Sequence, residues 1–386
     1  MTEEKQVCRW AEETARKICG KTAWVRERNA EKLPYLAVRG SYDDRRREKT
    51  GPGNRGPEWW TNGFWAGLLW QMYHETGEAC YAETARRTEI WLDECFQEYY
   101  GLHHDVGFMW LPSAVADYRL TGDKEARRRG MHAASLLAAR FNPVGRFLRA
   151  WNENEMNNSS GVAIIDCMMN IPLLYWAAKE SGDVRFLHIA TQHADTVMRH
   201  FVRPDGSVEH IVEFDPVTGE KLRTYKGQGY AEGSSWTRGQ AWALYGFVLS
   251  YLHTGKTEYR DTAKRIAHYF MANIPESGLI PVDFRQPPDP VREDSSAACI
   301  AACGLLELAR CVPETEQAAY SRAAAGLLKT LAEKRADFSR AGEALIQKCA
   351  GAYDCREEEK ECSLIYGDYF FTEAVFKLKG GGFLLW

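Results

Sequence analysis

Four times along the chain an apolar-periodic segment stops at a glycine and a second amphipathic segment begins within a few residues, at Gly77, Gly122, Gly182 and Gly255. Glycine ends a helix at little cost because, without a Cβ, it takes up the left-handed conformation that closes the last turn. Each glycine therefore marks a helix-turn-helix pair, and a chain punctuated in this way is expected to fold as a succession of helical hairpins. The intervals are too uneven for a tight solenoid repeat and suit hairpins joined by loops of variable length. SSAACIAACGLLELARCV followed by EQAAYSRAAAGLLKTLAEKR suggests a fifth pair. A helix around residues 5 to 20 with the closing GDYFFTEAVFKL suggests a sixth. Strand signals are confined to short pieces such as DGSVEHIVEFD and LIPVDF. The expected fold is all-α, with irregular Gly-, Pro- and charge-rich loops at 38–58 and 275–294 of the kind that carry binding function. No linker divides the chain, so residues 1–386 read as one domain.

Charge and cysteine usage narrow the partners. With 49 Lys and Arg against 53 Asp and Glu, the net charge is −4, and there is no positive excess to neutralise a phosphate backbone, which argues against nucleic acid. The N-terminal MTEEKQVCRWAEETARKIC carries charges where a secretory signal needs an apolar core, and no long uncharged apolar run occurs. A cytoplasmic protein without a membrane partner is expected, acting as a monomer or weak homo-oligomer. The 11 cysteines include no C-x-x-C pair, so free thiols are expected rather than zinc ligands or a disulfide framework.

The chemistry-bearing residues are aromatic and acidic. The 13 Trp, 18 Tyr and 16 Phe include clusters, GPEWWTNGFWAGLLW, LRAWNENEM and GSSWTRGQAWALYG, that set Trp beside Asn, Arg and Gln. Flat aromatic faces next to directional hydrogen-bonding groups suit sugar rings, although Trp65, Trp70 and Trp242 also fall at spacings that suit a helix core. Asp166, in GVAIIDCMMNIPLLYW, has apolar residues on both sides for a full helical turn. A carboxylate buried there either costs several kcal/mol or holds a proton near neutrality, as a general acid must; a hydrogen-bonded structural Asp is the competing reading. Asp105, in GLHHDVGFMWLP, is either a helix N-cap or the second carboxylate of a two-acid site. His103 and His104 precede it without an evident third ligand, so no metal is expected. Asp294, in REDSSAACIAACG, reads as an N-cap. The absence of a G-x-S-x-G elbow, a Walker loop and a dinucleotide fingerprint leaves no cofactor to expect.

Taken in order, WTNGFWAGLLW, HHDVGFMW, IIDCMMNIPLLYWA, KGQGYAEGSSWTRGQAWALYG, EDSSAACIAACGLLEL and SLIYGDYFFTEAV resemble the unsaturated glucuronyl hydrolases of glycoside hydrolase family 88, over about residues 58 to 378. The resemblance implies an (α/α)6 barrel of six hairpins. It also implies a substrate with a C4=C5 unsaturated uronic acid at its non-reducing end, such as a lyase-generated glycosaminoglycan disaccharide. The implied reaction is hydration of that double bond. On the family's pattern Asp166 protonates C4 and helps activate water, while Asp105 binds ring hydroxyls and stabilises the cation-like transition state. His210 and Gln228 would contact the uronate and the water, and Arg238 would fork onto the uronate carboxylate. Trp59, Trp60, Trp151, Trp236 and Trp242 would build aromatic walls. Members active on sulfated fragments carry Ser-x-x-Ser-x-Lys before the last motif; here the stretch reads AYDCREEEKECSLIYGDY. Glutamates 357, 358, 359 and 361 would repel a sulfate if they faced the site, while Lys226 supplies a basic group nearby. Unsaturated rhamnogalacturonyl hydrolases share the barrel and chemistry, but the HHD and IIDCMMN contexts favour the glucuronyl family. Epimerases on this barrel rely on histidines, and a non-catalytic sugar-binding protein would not need both carboxylates.

Overall fold

The computed structural model describes residues 3–49, 55–98, 101–152 and 159–386. Its helices are α1 (Glu3–Asn29), α2 (Gly63–Thr76), α3 (Ala79–Glu98), α4 (Val106–Trp110), α5 (Ala116–Thr121), α6 (Lys124–Ala138), α7 (Pro172–Ser181), α8 (Val184–His200), α9 (Thr237–Thr254), α10 (Thr257–Ala272), α11 (Ser295–Cys311), α12 (Glu314–Lys334) and α13 (Ile365–Leu378). One wide π-helical turn, Leu111–Val115, joins α4 to α5, so the two run as a single rod.

The punctuating glycines do what their chemistry dictates. Gly77, Gly122, Gly182 and Gly255 sit at φ of 72°, 79°, 74° and 70°, and each donates its N–H to the carbonyl four residues back. In two hairpins the next residue is already a cap: Asp123 accepts from the N–H of Ala126, and Asp183 from that of Arg185. A Gly-Asp pair thus ends one helix and starts the next.

The hairpins close into an (α/α)6 barrel. The inner helices α2, α4–α5, α7, α9, α11 and α13 pack side by side, and α13 returns against α2 to shut the ring. These helices are apolar around most of their surface, as α11 and α13 show, because both faces are covered. Outer helices are amphipathic; α8 buries Ala190, His193, Ala194, Thr196 and Val197 and exposes the opposite face. The first helix pairs with the last, α1 with α13, completing the sixth hairpin.

Small strands decorate one end: the ribbons β1–β2 (Ala37–Val38, Ser41–Tyr42) and β3–β4 (Phe141–Asn142, Phe147–Leu148), and a sheet of β5 (Val162–Ile164), β6 (Ile211–Phe214) and β7 (Lys221–Tyr225). The apolar stretch before Asp166 is therefore extended, not helical. Val162 and Ile164 are β-branched and pair with β6 in the register Ile164↔Ile211, a lateral partner that local periodicity cannot reveal. All 11 cysteines are free thiols, and among the described residues no helix is long and apolar enough to cross a membrane.

A column of aromatic rings runs through the barrel core. Trp386 stacks on Phe370 at 5.8 Å, Phe370 lies 5.5 Å from Phe64, and Phe108 stands 5.3 Å from Trp60 at the rim. The indole N–H of Trp386 donates to Glu373 at 2.9 Å, within a buried group in which Lys377 bridges Glu373 and Glu307. Trp386→Ala should lower unfolding stability by about 3–5 kcal/mol, and Trp386→Phe by clearly less, in a denaturant titration. Equal losses would mean that the ring's bulk is not what matters there.

Candidate active site

Strand pairing brings two of the expected residues together. Asp166 lies in a short 3₁₀ turn, Ile165–Met169, directly after β5, and His210 directly precedes β6. The N–H of Ile165 donates to the carbonyl of His210 at 3.0 Å, extending the ladder by one step. The imidazole Nε2 of His210 consequently stands 3.4 Å from Asp166 Oδ2. Its Nδ1 accepts the N–H of Gln228 at 2.9 Å, which leaves the ring proton on Nε2, facing the carboxylate. This contact requires Gly227. A Cβ there would fall 1.9 Å from His210 Nδ1, and its φ of 55° already favours glycine.

Asp105 comes from the other direction, at the entry to α4. Its side chain makes no capping hydrogen bond to α4, contrary to the N-cap reading. Asn170, which the sequence reading did not single out, ties it to Asp166. Its Nδ2 donates to Asp105 Oδ1 at 3.1 Å and to the backbone carbonyl of Asp166 at 3.2 Å, while its Oδ1 accepts the N–H of Phe108 at 2.7 Å. The approach is close enough that a Cβ on Gly107 would meet the Asn170 backbone at 2.5 Å. Asp105 and Asp166 are each 8% exposed, buried enough to be desolvated yet reachable from the cleft.

His103 Nδ1 and His104 Nε2 each lie 3.5 Å from an Asp105 oxygen. Burial pushes the His103 imidazole down to about 3 and holds His104 well below its ordinary value, so both rings are neutral beside the carboxylate. The donor atoms of His103, His104 and Asp105 fall within 4.8 Å of one another. Asp105 Oδ1 is engaged by Asn170, and His103 Nδ1 accepts the backbone N–H of Asp105 at 3.4 Å, so the two neutral rings pack beside the carboxylate.

The aromatic and basic residues divide into three groups. Trp59 and Trp60 are half-buried at the rim with ring centroids 6.4 Å apart, and Trp236 lies 4.2 Å from the His210 ring. Trp151 is half-buried over the Ile164 and Ile211 patch; residues 153–158, which include part of its LRAWNENEM context, lie outside the described residues. Trp242 departs from expectation. It is fully buried, 5.0 Å from Phe108 and 5.4 Å from Phe370, and forms core beneath the site instead of a wall that a sugar could touch. Trp65 and Trp70 are likewise core.

Arg238 also departs from the expected open fork. It is 2% exposed, and four of its N–H groups are engaged, with Asp294, the carbonyls of Ala350 and Gly351, and Gln228 Oε1. Burial works against its charge, but Tyr366 and Asp294 more than offset this and raise its pKa. The guanidinium thus orients Gln228 and ties down the 350–351 backbone, with only Nε left without a partner. Asp294 also caps α11 through the N–H of Ser296. Lys226 pairs with Asp354 at 2.6 Å, both side chains about half exposed. Asp283, another residue not anticipated, is wholly buried in the 275–294 loop and accepts from the N–H groups of Tyr230 and Ser235 and from the Ser234 hydroxyl, holding the 230–235 segment in place.

Two buried carboxylates, one beside an imidazole N–H and both tied through one amide, make a site for proton transfer next to an aromatic rim. The chain's relatives have the same architecture. The unsaturated glucuronyl hydrolase of Bacillus sp. (strain GL1) is 38% identical over 328 residues, covering 83% of this chain and 86% of that protein. A crystallised unsaturated glucuronyl hydrolase variant bound to dGlcA-Glc-Rha-Glc superposes with a TM-score of 0.87 at 34% identity, over 95% of this chain and 96% of that one. A Streptococcus agalactiae unsaturated glucuronyl hydrolase variant complexed with dGlcA-GalNAc6S superposes with a TM-score of 0.82 at 28% identity, over 97% and 93%. The model of Glycosyl Hydrolase Family 88 matches residues 38–370, and the chain belongs to that family of glycoside hydrolases.

Proposed function

We propose that this enzyme releases the C4=C5 unsaturated uronic acid from the non-reducing end of lyase-generated oligosaccharides, glycosaminoglycan disaccharides among them, by adding water across the double bond. The observation that carries the reading is the Asp105–Asn170–Asp166 arrangement with His210 against Asp166. The two structures named above in complex with dGlcA-initiated saccharides support the substrate class.

In this reading Asp166 carries the proton that C4 receives, and positive charge develops at C5 and the ring oxygen. Asp105, held by Asn170, stabilises that charge across the ring. The Asp166 carboxylate then takes a proton from water as the water oxygen bonds to C5, which returns the acid to its starting state. The hemiketal formed at C5 opens by breaking its bond to the ring oxygen. C1 is left as a hemiacetal that expels the neighbouring sugar. The attack is not at the anomeric carbon, so carboxylate-separation rules for retaining and inverting glycosidases do not apply. His210 and Gln228 would hold the uronate and the water, with Trp59, Trp60, Trp151 and Trp236 framing the rings. Arg238 acts on the substrate through Gln228. We assign residues 1–386 to one catalytic barrel and the enzyme to the cytoplasm.

Asp166→Asn keeps the shape and removes the proton, so kcat should fall by about 10²- to 10⁴-fold, followed as loss of the ultraviolet absorbance of the double bond. Retention of more than about a tenth of wild-type kcat would remove Asp166 as the acid. Asn170→Ala removes the amide that Asp105 accepts from and leaves the Phe108 N–H without its acceptor, and should cost about 1–3 kcal/mol of stability. It should also lower kcat on the order of 10- to 100-fold in the folded protein, because Asp105 loses its placement. A variant that loses stability but keeps full kcat would make Asn170 a purely structural residue.

A further inference from the structure

The turn before α4 gathers three groups of the kind that hold a divalent cation. Residues 101–105 are irregular, so His103 and His104 do not diverge as neighbours in a helix or strand would. Their rings lie within 26° of parallel with centroids 5.4 Å apart, and each presents one nitrogen to the Asp105 carboxylate. Nδ1 of His103 stands 3.5 Å from one oxygen and Nε2 of His104 stands 3.5 Å from the other. The sequence alone shows no third ligand beside the two histidines; the turn makes Asp105 that ligand. Around a tetrahedral zinc ion, with bonds of about 2.0–2.2 Å to imidazole nitrogen and carboxylate oxygen, ligand atoms stand about 3.4 Å apart. One donor atom from each of the three residues falls within 4.8 Å of the other two, so the widest pair would close by at most about 1.4 Å and the two imidazole–carboxylate pairs hardly at all.

The hydrogen bonding points the same way. His103 Nδ1 accepts the backbone N–H of Asp105 at 3.4 Å, so it turns a lone pair and not a proton toward the carboxylate. His104 is wholly buried, and neither of its ring nitrogens has a hydrogen-bond partner among the described residues. An imidazole enclosed with both nitrogens unmet is costly in a protein interior, and a metal ion satisfies one of them directly. The opposing charge is Arg140, whose guanidinium acts electrostatically on both rings. That guanidinium is bound to the carbonyls of Arg149, Ala150 and Trp151 and to Asn152, while the Asp105 carboxylate supplies the counter-charge an ion needs.

We propose that His103, His104 and Asp105 form an inhibitory site for a transition-metal dication such as Zn²⁺, with water as the fourth ligand. Two imidazoles and one carboxylate select zinc, copper or nickel over magnesium or calcium, which favour all-oxygen sites. That the ion inhibits rests on the function proposed above. Bound to Asp105, it withdraws that carboxylate from the sugar and sets a dication beside the place where positive charge develops at C5 and the ring oxygen. The ion acts as a brake and supplies no step of the reaction.

The test uses the full chain, first freed of metal with a chelator. Equilibrium dialysis against Zn²⁺ should find an ion whose affinity falls at least about tenfold in His103→Gln and in His104→Gln, since even residues behind a ligand are worth that much. The chain has 11 cysteines, so Co²⁺ is the second probe: a nitrogen and oxygen site gives visible bands without the near-ultraviolet charge transfer of a cobalt thiolate. Zn²⁺ should slow the wild-type enzyme on an unsaturated chondroitin disaccharide at least about tenfold, and a chelator should restore the rate. The His103 side chain is 16% exposed, so His103→Gln threatens folding less than His104→Gln, and thermal unfolding checks both. Whatever rate His103→Gln retains should be insensitive to the same Zn²⁺ concentration. Failure of the folded wild-type chain to bind the ion would overturn the proposal, as would binding unchanged in both folded variants with a cobalt spectrum of thiolate type. Binding lost in the variants with a wild-type rate untouched by Zn²⁺ would overturn the inhibitory role. If the metal-free enzyme consumed no unsaturated saccharide, the failure would lie with the proposed function, and the dialysis would still decide the metal site.

Discussion

The site depends on one buried amide. Asn170 joins two pieces of chain that the fold brings from different hairpins: the start of α4, through the Phe108 N–H and the Asp105 carboxylate, and the turn that carries Asp166. Each bond is made inside the barrel, where an unmet donor or acceptor costs far more than in water. The amide therefore fixes the two carboxylates relative to each other with the rigidity of the core. His210 adds a second constraint from the β5–β6 ladder, so that Asp166 is held both from the barrel and from the sheet.

The closed ring of helices makes this placement possible. Because α13 packs against α2, the inner helices have no edge and bury apolar residues all round, and the aromatic column from Trp386 to Trp60 fills the axis up to the floor of the site. Loops at the same end supply the walls. They are anchored by buried acidic groups: Asp283 holds 230–235, Asp294 holds Arg238, and Glu359 holds Arg55. A cleft lined this way is polar, yet its charges are largely spent internally.

Much of the fold was legible because its signals are local. A glycine that must take φ near 70° to end a helix, followed at Gly122 and Gly182 by an aspartate that caps the next, announces a hairpin without reference to the rest of the chain. The site was legible only in part. Asp166, flanked by apolar residues, looked helical because periodicity cannot distinguish a short buried strand from a helix when the strand's partner lies more than forty residues away. Trp242 stood in a polar-flanked motif, but α9 turns it into the core, and Arg238 in the same motif is occupied by carbonyls and carboxylates from loops distant in sequence. Asn170 carried no signal beyond its place in an apolar run, the same anomaly that drew attention to Asp166 four residues earlier. A polar side chain in such a run must find buried partners, and that expectation, applied evenly, would have found it.

The central claim is that chemistry begins with proton delivery to C4, and that water adds at C5 and not at the anomeric carbon. The most direct test is to run the reaction in D₂O on an unsaturated disaccharide and locate the label in the released acid early in the reaction. The account predicts one deuterium at C4, introduced on a single face as the double-bond absorbance disappears, and the glycosidic oxygen retained by the leaving sugar. Release of a uronate that still carries its double bond, with no deuterium at C4 and the solvent oxygen at C1, would contradict it.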